Sequence, residues 1–267
     1  MAKNEKEMNF WGHLEVLRWT IFRAVAAIVV CFIGCFAAMP FVFDKFILGP
    51  TSSDFFLYKA FSSLGSKVPF LPDFSDSAFK VEIININVAS QFTSHISTAF
   101  WLSIVIAFPI IIYEIWKFIR PALYQKEITN VRFAFVFGTL MFYLGCAVGY
   151  CVIFPFTFHF LAEYTISQEI VNQISLSSYL NNFLTMIFIM GAVFELPLLA
   201  WLLSKLGVID RQMLKDYRKH AIVASVVVAA AITPSGDPFT LSLVFLPLYL
   251  LYELSIRIVR KEAPQSE

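Results

Sequence analysis

The stretch LNNFLTMIFIMGAVFELPLLAWLLS, Leu180 to Ser204, carries a single ionisable side chain, Glu195, in an otherwise apolar run. A helix rises ~1.5 Å per residue and the hydrocarbon core of a bilayer is ~30 Å thick, so this run predicts a transmembrane helix. A carboxylate buried at that depth costs at least about 2 to 3 kcal/mol unless it is protonated, paired or hydrated. Glu195 is therefore the first candidate for function, the plain alternative being a carboxyl satisfied by a neighbouring helix.

Three further charge-free runs flank it, Ala24 to Phe43, Ile96 to Tyr113 and Phe133 to Phe158. From Ala221 to Tyr252 the only charge is Asp237, and Thr233, Pro234, Ser235 and Gly236 split the run into two short helices joined by a tight turn. Each half reaches only ~20 Å, which implies local thinning of the membrane or a re-entrant hairpin; two short spans are the preferred reading. The expected fold is an all-α polytopic membrane protein of six transmembrane helices, the last two short. With 58% hydrophobic residues, 15% charged and 30 Phe among 267 residues, a soluble core is excluded.

Orientation follows from Lys and Arg. Sixteen of the twenty lie at the N-terminus, in the second and fourth connections and at the C-terminus; Lys45, Lys59, Lys67 and Lys80 share one long loop on the other side. That bias predicts both termini in the cytoplasm. The first apolar run is too long for a cleaved signal peptide. The expected organisation is one membrane domain, 1–267, with a cytoplasmic amphipathic lead-in (1–22), an external cap loop (44–93), cytoplasmic loops (114–132 and 205–220) and a disordered tail (262–267). Phe55, Phe56, Phe61, Phe70, Phe74 and Phe79 in the cap loop predict that it folds back on the helix ends. Pro109, Pro155, Pro197 and Pro247 predict kinks and freed carbonyls.

A net charge of +1 gives no footing for nucleic acid. The cysteines Cys31, Cys35, Cys146 and Cys151 lie in apolar spans without metal-ligand spacing, and the scattered His residues form no HExxH, GxSxG or dinucleotide motif. No enzyme, metal site or cofactor is expected.

Two cytoplasmic segments carry more chemistry than solvated loops need. In FWGHLEVLR, Phe10, Leu14, Leu17 and Ile21 make an apolar face with Glu15 and Arg18 on its flank, predicting an interfacial helix that feeds into the membrane. In YEIWKFIRPALYQKE, Glu114 and Glu127 sit among cations with Tyr113, Trp116, Phe118 and Tyr124. Carboxylates among aromatic rings suit a cationic peptide, since guanidinium groups take bidentate carboxylate bonds and stack on rings. An ordinary interfacial aromatic belt with internal ion pairs is the bland alternative.

Four motifs carry a resemblance: HLEVLR at His13 to Arg18, WKFIRPALYQKE at Trp116 to Glu127, FELP at Phe194 to Pro197, and YRKHAIV through AAAITP at Tyr217 to Pro234. In this order they resemble the TatC family, the signal-peptide receptor of the twin-arginine translocation system. The resemblance implies a glove-shaped protein of the bacterial inner membrane that binds Arg-Arg signal peptides of folded cargo. It also implies assembly with TatA and TatB type single-span partners and with further copies of itself, with passage driven by the proton-motive force. Glu15 and Glu127 match the family's carboxylates for the arginine pair, Phe118 an aromatic of the same site, and Glu195 an intramembrane glutamate; His13, Arg18, Glu114 and Trp116 lie in the same motifs. Thr233 and Asp237 stand where partner contacts are expected. The family commonly has TPPD followed by Ser and Gln, whereas this chain reads TPSGDPFTL, with Leu241 where Gln would stand. A proton-coupled small-solute secondary transporter using Glu195 is the competing class, against which stand the lack of repeated halves and of a second ionisable group inside a span apart from the near-edge Arg23 and His159.

Overall fold

A computed structural model describes residues 10–51, 55, 58, 81–119, 131–167, 172–233 and 236–259. The chain is mostly helical: α1 (Phe10–Val42), α2 (Ser90–Ile119), α3 (Val131–Val148), α4 (Phe154–Glu163), α5 (Leu176–Val193), α6 (Leu196–Lys205), α7 (Arg211–Asp216), α8 (Arg218–Ile232) and α9 (Pro238–Ile258). Among the described residues, five helical stretches are long and apolar enough to cross a membrane: Leu14–Thr51, Ser90–Ile119, Ala134–Glu163, Leu176–Lys205 and Pro238–Ile258. Their outward faces are apolar, with Phe22, Val30, Ile33, Leu140 and Leu250 all exposed, as lipid requires. With the short α8 counted between α6 and α9, successive long helical stretches run antiparallel, Arg23 of α1 meeting Glu114 of α2 and Arg218 of α8 meeting Glu253 of α9, so the molecule has a terminal end, where α1 starts and α9 stops, and an opposite cap end.

Several expectations are corrected by this architecture. The last helix is not short: α9 has 21 residues and passes Tyr252, because Glu253 is paired with Arg218 at 2.8 Å and no longer limits the span. Only α8, at 15 residues, stays short. The expected loop from 114 is helical through Ile119, and α2 starts at Ser90, inside the expected cap loop. Nor is the chain wholly α, since Ile83–Ile84 (β1) and Ile174–Ser175 (β2) pair in parallel and tie the two cap-end connections together. Two buried cap residues, Phe55 and Tyr58, pack with Phe156, and the Tyr58 hydroxyl donates to the Pro50 carbonyl at 2.8 Å. Most of 52–80 and the tail 262–267 lie outside the described residues.

Proline explains how the first three spans are joined. Pro40 and Pro109 lie inside α1 and α2 and have no N–H, so the carbonyls four residues earlier, Phe36 and Val105, lose their helical donors. Each is met from the next helix. His95 Nε2 of α2 donates to the Phe36 carbonyl at 3.0 Å, its ring stacked on Phe36 at 4.1 Å, and Tyr143 of α3 donates to the Val105 carbonyl at 3.2 Å. In hydrocarbon such bonds replace the water that would otherwise satisfy a freed carbonyl. Pro155 follows a π-helical turn, Gly149–Ile153, that takes up the break between α3 and α4.

Close backbone approach joins α3 to α5. A Cβ at Gly145 would stand 2.5 Å from the Met190 carbonyl oxygen, and one at Gly191 would stand 2.7 Å from Cys146 Sγ, so only glycine permits this spacing. Around it lies the main core, with Phe154, Phe158, Tyr179, Phe183, Met186 and Met190 buried toward the cap end. A second cluster, Ile112, Trp116, Ala134 and Leu198, closes the terminal end.

Candidate functional site

At the terminal end α1 and α2 lie side by side, and their sequence-predicted residues divide into exposed and buried sets. Glu15 and Arg18 are exposed on the first turns of α1, with the Arg18 guanidinium 5.8 Å from the Trp19 ring. Phe118, in the last turn of α2, is half-buried. His13 falls within α1, but its side chain is outside the described residues, and so is Glu127.

Glu114 and Trp116 do not present the open acidic and aromatic surface that the sequence suggested. Continued helix through Ile119 turns both inward, between α1 on one side and α3 with α6 on the other. Glu114 is 6% exposed, and its Oε2 accepts from Arg23 Nε of α1 at 2.8 Å. A charge-assisted bond of this length fixes the two helices level with each other. Trp116 is buried against Trp201 of α6, ring centroids 6.1 Å apart. Both residues therefore support the end on which Glu15 and Phe118 are displayed. Arg23 stood out in the sequence only as a near-edge cation; a helical hairpin between α1 and α2 sets it opposite Glu114.

Glu195 occupies a break rather than the middle of a helix. Pro197 has no N–H to bond the Val193 carbonyl, so α5 stops at Val193 and α6 begins at Leu196. Glu195 N bonds the Ala192 carbonyl at 3.2 Å in the intervening turn, and Glu195 is the residue that precedes the first turn of α6. A carboxylate at a helix N-terminus is favoured by the helix dipole, a compensation invisible in a hydropathy profile. The side chain is buried and lies against Gly138 of α3, where a Cβ would stand 3.3 Å from its Oε2. Its Oε1 has no hydrogen-bond partner among the described residues. Gly138 is seven positions into α3, so the carboxyl is ~10 Å from the terminal end of that helix.

The two residues at the other end have local roles. Asp237 precedes α9 and caps it, Oδ1 accepting from Thr240 N at 2.8 Å and Oδ2 from Thr240 Oγ1 at 2.6 Å, with Pro238 in the first helical position. This cap was legible in Asp-Pro-Phe-Thr. Thr233 is buried and its hydroxyl has no partner among the described residues. Among those residues no group of three or more His, Cys, Asp or Glu is placed to hold a metal.

Comparison with known proteins gives one family. The profile described as "Sec-independent protein translocase protein (TatC)" matches residues 12–247. A Sec-independent protein translocase protein TatC from Blattabacterium sp. subsp. Periplaneta americana is 37% identical over 259 residues, covering 96% of this chain and 97% of that one. The corresponding protein of Helicobacter pylori strain 26695 is 35% identical over 94% of this chain and 87% of its own. Among solved structures, "Crystal Structure of Twin Arginine Translocase Receptor- TatC" superposes with a TM-score of 0.70 at 28% identity, over 92% of this chain and 97% of that one. The same receptor in DDM gives 0.72 at 27% identity, over 93% and 99%.

Proposed function

Since the chain belongs to the TatC family and is a multi-pass membrane component of a Sec-independent protein translocase, we propose that it is the receptor that binds Arg-Arg signal peptides of folded cargo. The observation that carries this reading is the end of the molecule where exposed Glu15 and half-buried Phe118 stand on α1 and α2, held level by the pairing of buried Glu114 with Arg23. Glu15 and Glu127 take one guanidinium each, Phe118 stacks on the pair, and His13 and Arg18 border it. Glu114 and Trp116 position the site from beneath. The bound complex then recruits TatA and TatB type single-span proteins and further copies of the chain, and the proton-motive force drives export. The family assignment removes the support for a small-solute transporter.

The topology that goes with this reading has six crossings in the bacterial inner membrane, with the terminal end in the cytoplasm. Sixteen cations against four support it. The short α8 crosses a thinned region; its Arg218 stands level with Glu253 and its far end with the start of α9, so the two helices share one depth. Cysteines placed at Ser167 and Gly236 are labelled from outside by an impermeant reagent and one at Gln212 from inside; external labelling at Gln212 reverses the orientation.

Peptide binding tests the receptor role. An Arg-Arg peptide binds and its Lys-Lys version binds more weakly, and Glu15→Ala or Glu127→Ala each cost on the order of 2 to 5 kcal/mol where the pair is desolvated. Unchanged affinity in both variants overturns the assignment.

A further inference from the structure

Two adjoining cavities between α2 and α5 remain unused by this reading. The first, about 470 Å³, lies nearer the cap end and is lined by Ser94, Ser97 and Thr98 of α2 and Ser178 and Asn181 of α5. The second, about 460 Å³, is lined by apolar side chains including Phe46, Val105, Ile106, Ala147 and Phe188. Thr98, Trp101 and Leu184 border both, so the two adjoin across these side chains. Along α2 the lining shifts from Thr93–Trp101 to Thr98–Ile106, and along α5 from Ser177–Leu184 to Phe183–Phe188, which places the apolar cavity ~7 Å deeper along these two helices, with Val42, Phe46 and Ile47 closing it from the cap end of α1.

The polar cavity has unmet hydrogen-bonding capacity. Thr98 is 1% exposed, and its Oγ1 has no partner among the described residues. A hydroxyl left bare in hydrocarbon is costly, and Ser94, Ser97 and Asn181 add further donors to the same groove. Among the described residues neither cavity is lined by Asp, Glu, Lys or Arg, so this lining offers nothing to a net charge.

We propose that the two cavities form one site for a single zwitterionic phospholipid of the leaflet at the cap end. Its acyl chain fills the apolar cavity, and its glycerol ester carbonyls accept hydrogen bonds from the Thr98 and Ser97 hydroxyls and the Asn181 amide. The direction of the polarity change, hydroxyls outward and hydrocarbon inward, is that of a lipid in its leaflet. Phospholipid is also the ligand present around every span of this protein.

Native mass spectrometry of the full-length chain, extracted from its own membrane in mild detergent, counts retained phospholipid. One zwitterionic molecule per chain is expected. Ala147→Phe, at an exposed position on the cavity wall, fills the apolar part and removes the retained lipid with little change in melting temperature. Thr98→Val keeps shape and removes the donor; loss of one bond of ordinary strength lowers retention about fivefold. Equal retention in the parent and both variants, or none in the parent, overturns the site. So does a photoreactive group at Val105 that captures cargo peptide in place of phospholipid. Arg-Arg peptide affinity is unchanged by Thr98→Val, so failure of this site is separable from failure of the receptor reading.

Discussion

Glu114 and Glu195 are carboxylates buried to nearly the same degree, 6% and 8% exposed, yet the chain treats them in opposite ways. Glu114 has an arginine at 2.8 Å on the neighbouring helix. Glu195 has a helix N-terminus beside it, a glycine opposite and one oxygen without a hydrogen bond among the described residues. A buried charge whose partner is supplied is committed to holding structure, and its removal is felt as instability. A buried carboxyl whose bonding capacity is left open carries no such structural commitment.

The sharpest break in this comparison comes from replacing each carboxyl. Glu195→Leu abolishes most export while the protein still inserts and folds, and Glu195→Gln keeps most of it, because a hydrogen-bonding contact needs no titratable proton. Export assays on membranes with matched protein levels read this directly. An inactive Glu195→Gln in an intact assembly transfers the residue to proton carriage instead.

Arg23→Ala comes next. It strands Glu114 in the interior, and we expect a loss of about 1 to 2 kcal/mol, at the lower end of buried pairs because the arginine is 40% exposed. The exchange Arg23→Glu with Glu114→Arg recovers most of that loss, in thermal unfolding followed in detergent. No recovery means that the pair is incidental to the α1–α2 contact.

Gly138→Ala acts on Glu195 without touching its chemistry. The new Cβ would meet Leu198 Cδ2 at 2.6 Å, a terminal methyl that can rotate away, so stability falls by about 1 kcal/mol or less while the carboxyl is pushed from its place. Export falls in part if the position of Glu195 matters. Smallest of the set is Tyr143→Phe, which withdraws the donor to the Val105 carbonyl and costs about 0.5 to 1 kcal/mol in the same unfolding measurement.

Legibility in the sequence followed the range of the interaction. The four long spans announce themselves because hydropathy is summed over consecutive residues, and Pro197 announces a kink because its effect falls four residues away. The consequence of that kink, a carboxyl moved to the start of a new helix and against Gly138, depends on which helix packs there, and no local pattern carries it. Arg23 and Glu114 are 91 residues apart and meet only through the register of the α1–α2 hairpin. The two-residue strands Ile83–Ile84 and Ile174–Ser175 are too short for an alternating pattern to reveal. α9 was underestimated for a related reason: Glu253 reads as a boundary until its partner on α8 is known.

The carbonyls released by Pro40 and Pro109 also bear on how the protein is made. When α1 leaves the insertion machinery, the Phe36 carbonyl has no donor in its own helix, and the imidazole that supplies one belongs to the segment still to be synthesised. The Val105 carbonyl of α2 waits in turn for the phenol on α3. Each segment thus enters the lipid incomplete and is finished by its successor, so these three helices mature in chain order as one unit, and a ribosome stalled between them leaves an intermediate with an exposed polar seam for quality control to find.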